Sequence, residues 1–242
     1  MTQPSKTTRR LKAATPPADA APAETDRRKW RRRAADRPGE ILDAALTVFI
    51  AKGFAATRLD DVAAEAGVSK GLLYRYFDNK AELFKAMVRQ MLVSTIRNAG
   101  DRIRASATAT EALELFLAQM KMVAGDPRRS AIPKLIISES SSFPEIARFY
   151  LIEVIEPALA QLTALIQRGI ATGEFRRVDP ANTARLLVAP FLMTVIWRHT
   201  FAQHEAGAFA PDGLINQHRD ILLAGLAPQN RSKPASHGRN PS

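Results

Sequence analysis

Residues 57–80 read TRLDDVAAEAGVSKGLLYRYFDNK, and this stretch decides the fold. Thr57 begins a short helix, its hydroxyl able to cap free N–H groups. Asp60, three positions later, completes a weak capping box. Leu59, Val62, Ala63 and Ala66 face inward. Gly67 stops the helix, Val68 inserts as an apolar plug, and Ser69 caps a second helix over about 70–77. The small side chains of Ala63 and Ala66 let the two helices cross closely. Two short helices joined by a tight glycine-containing turn form a helix-turn-helix, whose second helix enters the major groove of DNA. A groove-reading helix needs an exposed face that can hydrogen-bond. Lys70, Tyr74 and Arg75 supply one, and Gly71 lets the backbone approach closely. Leu73 and Phe77 hold the opposite face against a core.

Upstream, Pro38 suits the first turn of a helix, where a missing N–H costs nothing. Leu42, Leu46, Phe49 and Ile50 follow at helical spacing, and Gly53 ends the run. Downstream, Asn79-Lys80-Ala81-Glu82 reads as an N-cap with a capping box. It opens a long helix through Leu83, Phe84, Met87, Met91 and Ile96 to near Arg104. Further helices fall at about 109–124, 128–141, 144–172, 180–203 and 212–225. Pro157 should bend or split the third of these. No strand alternation or hairpin signal is present. The expected fold is all-α. A disordered basic extension (1–36) precedes a three-helix helix-turn-helix DNA-binding domain (37–84). A larger helical domain follows (85–226), then a disordered tail (227–242).

The charge is distributed to match. The net charge is +11. Residues 1–37 carry +7 and residues 227–242 carry +3, so the body between them is near neutral. Basic tails favour a polyanion. The densest block is Arg27, Arg28, Lys29, Arg31, Arg32 and Arg33 around Trp30, just before the first helix. There are no cysteines, which excludes disulfides, thiolate metal sites and a cysteine nucleophile. The longest apolar run, Leu186 to Trp197, is too short to span a bilayer, and the first residues carry no apolar leader. A cytoplasmic protein is expected. No Gly-rich phosphate loop or Gly-x-Ser-x-Gly elbow occurs. Ser138 to Ser142 cluster at a helix end, where serines cap. His199 and His204 are poorly spaced to share a metal. Neither an enzyme, nor a metal site, nor a cofactor is expected.

The run Thr57…Val62-Ala63…Ala66-Gly67-Val68-Ser69-Lys70-Gly71-Leu72-Leu73-Tyr74-Arg75-Tyr76-Phe77…Lys80…Leu83 resembles the DNA-binding segment of TetR-type (tetracycline-repressor family) regulators. The likeness covers about residues 38–85. A looser one runs from Ile132-Pro133 through Phe143 to Tyr150 and on to Gly173-Glu174-Phe175. The resemblance implies roles. Thr57 would contact a phosphate. Lys70, Gly71 and Tyr74 would face bases, with Tyr76 and Lys80 bonding phosphates and Ser69 capping the helix and touching the backbone. The basic block would lie near DNA as an N-terminal arm, entering a minor groove or attracting phosphates at large. Asp60 and Asp61 depart from the pattern by placing acid on the first helix of the pair. They are expected to cap or to point away from DNA.

Two late segments carry more apolar surface than an exposed helix needs. Leu159, Leu162 and Ile166 mark one stripe, and Leu187, Met193 and Trp197 the other. The resemblance implies a four-helix bundle across a two-fold axis, built from two late helices of each chain. The 212–225 helix is an alternative to 144–172 in that role. Such a homodimer would read a palindromic double-stranded operator. The resemblance also implies a pocket for a small-molecule effector, for which Phe116, Met120, Ile137, Phe143 and Phe149 are candidates. The competing reading is a non-specific architectural DNA-binding protein driven by its basic tails.

Overall fold

The computed structural model describes residues 24–205 and 211–228, and among these every regular element is helical. The described residues up to Pro38 form a unit of their own. Their backbone is helical from Glu24, and the side chains of 24–37, the basic block included, lie outside the described residues. Helix α1 spans Glu24–Ala56 with Pro38 inside it, so no helix opens at that proline. Residues 24–37 contain no glycine or proline and are rich in Arg, Lys and Ala, all strong helix formers. The backbone over 24–36 is thus helical within the stretch expected to be a disordered extension. The expectations for residues 1–23 and 229–242 fall outside the described residues.

In the second unit, the helical run of α1 breaks where expected. Gly53 adopts φ 77° and ψ 170°, a left-handed conformation that suits only glycine. Helices α2 (Leu59–Glu65) and α3 (Lys70–Tyr76) follow. Helix α4 covers 80–105, with one wide turn at Arg89–Val93. Helices α5 (Ala109–Gly125), α6 (Pro127–Glu139) and α7 (Pro144–Ala171) come next. Helix α8 runs from Pro180 to Phe201 and α9 from Pro211 to Leu226. Pro157 neither splits nor ends α7. The turn just before it, Leu151–Ile155, widens to a π-turn, which makes room where a proline ring would crowd the carbonyl four residues back.

Three clusters of buried side chains hold the body together. The first joins Ile41, Phe49, Phe84 and Met87 to Ile132 and Ile136 of α6 and Ile146 and Val154 of α7. Packing is therefore continuous across residue 84. Phe49, Phe54 and Phe84 meet one another at 5.1–5.7 Å, and Phe143 closes on Phe54 at 4.8 Å. The second cluster packs α5, α7 and α8 through Leu113, Leu162, Leu165, Ile166 and Leu187. A smaller third joins Val123, Phe191, Val195 and Ile215. Helix α7 is long and apolar enough by composition to cross a membrane. Its Leu162, Leu165 and Ile166 are nevertheless buried in the protein's own core.

Polar ties fix the joints. Glu174 reaches back to cap α5, accepting from the Ala109 and Thr110 amides at 3.0 and 2.9 Å. These two N–H groups hold its carboxyl down at about 2. Helix α6 is tied to α1 at both ends. Arg128 donates to the Asp43 carbonyl at 2.8 Å, and Glu139 accepts the Phe54 amide at 3.0 Å. The buried Ser130 on α6 meets His199 of α8 at 2.9 Å.

Candidate functional site

Helix α3 is assembled as its sequence dictates. Ser69 is its N-cap and accepts from the Leu72 amide at 3.2 Å, and Leu73 is fully buried beneath it. Val68 and Phe77 pack against the same core. Lys70, Gly71, Tyr74, Arg75 and Tyr76 are left on the surface, with the two tyrosines 46% and 42% exposed. A Cβ at Gly71 would meet nothing within 4 Å, so this part of the backbone is open to approach. Lys70 is not idle. It pairs with Asp60 of α2 at 2.9 Å, which raises its pKa, and its ammonium lies 6.0 Å from the Tyr74 ring. Asp60 therefore points toward the same face as Lys70. Asp61 does the capping instead, accepting the Arg58 amide at 2.9 Å while pairing with Lys52 at 2.8 Å. Lys52 and the Arg58 amide together lower the Asp61 pKa.

Two residues expected at phosphates are differently employed. Thr57 is 2% exposed and donates its hydroxyl to the Gly53 carbonyl at 2.6 Å, while Arg58 takes the N-cap of α2. Gly53 breaks α1 and leaves a carbonyl that the hydroxyl satisfies, so Thr57 turns inward. Lys80 starts α4 but donates to the Phe54 and Ala55 carbonyls at 2.6 and 2.9 Å, its ammonium 4.6 Å from the Phe54 ring. Burial lowers its pKa, partly offset by the Glu139 carboxylate. Lys80 thus closes the open end of α1. Asn79 caps α4 as expected, but Glu82 turns to Lys85 at 2.9 Å rather than completing a capping box.

The second site is a cavity of about 310 Å³ between α4, α5, α7 and α8. Phe116 and Met120 line it as expected, together with Leu92, Ile103, Val188 and Phe191. The other three candidates lie elsewhere. Phe143 packs on Phe54, Ile137 is 49% exposed, and Phe149 lies beneath the Arg89 guanidinium at 5.0 Å. Apolar character suggested them, but Phe143 and Phe149 pack with the first core and Ile137 faces outward. Few polar groups touch the cavity, notably Tyr150, Gln119 and the exposed Arg185. Sequence reading missed all three, because no spacing rule distinguishes them from surface residues.

The dimer candidates also sort themselves. Leu162, Ile166 and Leu187 are buried within the chain, and Leu159 lines the cavity. Trp197 is half-buried and donates its indole N–H to Glu205 at 2.7 Å. Met193 alone of the six is well exposed, in line with Leu186 on the outward face of α8, while Ile221 stands out from α9. Leu186 and Leu187 differ by one position, which on a helix is about 100° of rotation. The inward residue and the outward one are thus neighbours in sequence.

An exposed recognition helix braced by a capped partner, on a helical body with an apolar cavity, defines a helix-turn-helix transcriptional regulator. Residues 41–87 match the family model for bacterial regulatory proteins of the tetR family, and residues 105–208 match the tetracyclin repressor-like C-terminal domain. The chain belongs to the TetR family. It is 27% identical over 150 residues to a fatty acid metabolism regulator protein of Bacillus subtilis, covering 62% of this chain and 76% of the relative. It is 26% identical over 214 residues to the transcriptional repressor KstR2 of Rhodococcus jostii, covering 88% and 97%. The solved structure of FadR from Bacillus subtilis in complex with stearoyl-CoA shares the fold, with a TM-score of 0.65 and 23% identity over 77% of this chain and 98% of that one.

Proposed function

We infer that this regulator binds a palindromic operator as a homodimer and is released by a small apolar effector in the bacterial cytoplasm. The observation that carries the reading is the pairing of an exposed α3 with an apolar cavity in one chain. Lys70, Gly71 and Tyr74 face the bases. Ser69, Arg75 and Tyr76 lie where phosphates pass. Thr57 and Lys80 support these contacts from beneath, by fixing the turn between α1 and α2. The basic block from Arg27 to Arg33 adds phosphate contacts and steepens the salt dependence.

The outward residues of α8 and α9 support the dimer. Leu186 and Ile221 are 62% and 61% exposed, and helix faces this apolar are normally covered. A two-fold axis through them sets two copies of α3 about one DNA turn apart. The apolar lining supports an effector with an apolar chain, as does the neighbour structure holding stearoyl-CoA. Ligand then shifts the population toward a dimer whose α3 spacing no longer matches the operator.

Selection of bound sequences from a random DNA pool, at near-physiological salt, tests this directly. A palindromic consensus is expected, with Lys70→Ala relaxing one base position per half-site. No consensus, with binding lost on removing residues 1–36, would establish a non-specific architectural binder instead.

A further inference from the structure

The cavity is almost wholly apolar, yet two polar side chains border it without finding partners. Tyr150, on α7, is 8% exposed, and among the described residues no hydrogen bond engages its hydroxyl, which is not sealed off but keeps some open surface. Burial alone pushes its pKa well up, so the phenol stays protonated and able to donate. Gln119, on α5, borders the same cavity, and its Nε2 is buried with no partner. A buried donor left unmade costs free energy, which evolution rarely tolerates without a use. Of the other polar side chains at the cavity, Gln161 lays its amide against Gly100, and two more are already engaged. Thr95 donates its hydroxyl to the Met91 carbonyl at 3.2 Å, and Arg185 donates to the Ala181 carbonyl at 3.1 Å. Tyr150 and Gln119 can both offer hydrogen, and most of the remaining wall offers only methyl, methylene and ring surface.

We propose that Tyr150 and Gln119 recognise a carbonyl oxygen on an otherwise apolar effector, and so select acylated chains over alkyl chains of the same length. The inference rests on the effector reading above and adds the polar group that the ligand must carry. Apolar burial supplies the affinity, and the two donors supply the discrimination. A site built to hydrogen-bond an oxygen rejects the analogue lacking it, because its own donors are then left buried and unpaired. An alkyl chain would fill the cavity but leave both orphans as they are.

The test uses the full chain and two soluble probes, dodecanoyl-coenzyme A and S-dodecyl-coenzyme A, which differ by the thioester carbonyl. Calorimetry gives both affinities. The acyl form is expected to bind about tenfold more tightly or better, consistent with one or two net hydrogen bonds. Tyr150→Phe and Gln119→Leu should each shrink that preference to a few-fold while leaving S-dodecyl-coenzyme A binding unchanged. Unchanged alkyl binding shows that the cavity has kept its shape. Equal binding of the two probes to the parent chain overturns the carbonyl assignment and leaves the apolar effector site standing. An undiminished preference in the double variant also overturns it. Binding of neither probe overturns the apolar-chain effector reading as well.

Discussion

The helix-turn-helix end and the cavity end of this protein treat polar groups in opposite ways. Around α1 to α3 the polar side chains are mostly spent inside the molecule. Thr57 answers Gly53, Lys80 answers Phe54 and Ala55, Ser69 answers Leu72, and Lys70 answers Asp60. Around the cavity the Gln119 amide nitrogen is buried without a partner, and among the described residues no hydrogen bond engages the Tyr150 hydroxyl. The first region is complete in its own hydrogen bonding. The second is apolar enough to fold but unfinished in its hydrogen bonding, which leaves it something to gain from a guest.

The sharpest way to break this contrast is to remove the aromatic centre of the first region. Phe84 is fully buried against Phe49 and Phe54. Phe84→Ala should cost about 3–5 kcal/mol in denaturant unfolding and abolish operator binding with it. Lys80→Met comes next. It leaves two carbonyls unanswered and should cost roughly 1–3 kcal/mol. That loss must appear in the absence of DNA; if only DNA binding falls, Lys80 is a phosphate contact after all.

A third prediction concerns pH. The folded carboxyl of Glu174 lies near 2, below its ordinary 4.5. A depressed carboxyl contributes stability above the unfolded value and loses it as pH falls through the folded one. Thermal unfolding of the parent chain should weaken between about pH 4.5 and 2, and Glu174→Gln should flatten that part of the profile. The smallest effect on stability is expected from Asp60→Asn, which removes an exposed ion pair and should leave the unfolding midpoint where it is. Its readout is DNA. Freed from Asp60, Lys70 should hold any sequence a few-fold more tightly, with a steeper salt slope and a weaker base preference.

What the sequence disclosed follows the same division. Helix-turn-helix chemistry is local, so Ser69, Asn79, Gly53 and Gly67 announced their turns, and the later helices could be placed from periodicity. Long-range partners were not legible. Thr57 looked like an N-cap because its neighbours in sequence suited one, but its hydroxyl had a better acceptor in the broken end of α1. Lys80 sat where a helix dipole favours an anion, yet it was drawn to carbonyls 25 and 26 residues away. The cavity was the least legible part. Several helices converge on it, and an apolar residue on any of them reads the same whether it faces packed neighbours or empty space. Leu186 and Leu187 show the limit, being equally apolar and adjacent while one is outside and the other inside.

The two ties between α6 and α1 have a mechanical consequence. Asp43 lies in the regular run of α1 and Phe54 just past its break at Gly53, so the two ties act like rungs that join α6 to both sides of that break. The rungs are not equally strong. The one at Arg128 is exposed, and parting it costs about 0–1 kcal/mol. The one at Glu139 holds an amide next to a buried phenylalanine, and parting it strands that donor. Under load the Arg128 end gives first, like a fuse. The Glu139 end stays anchored to the turn that carries α2 and α3.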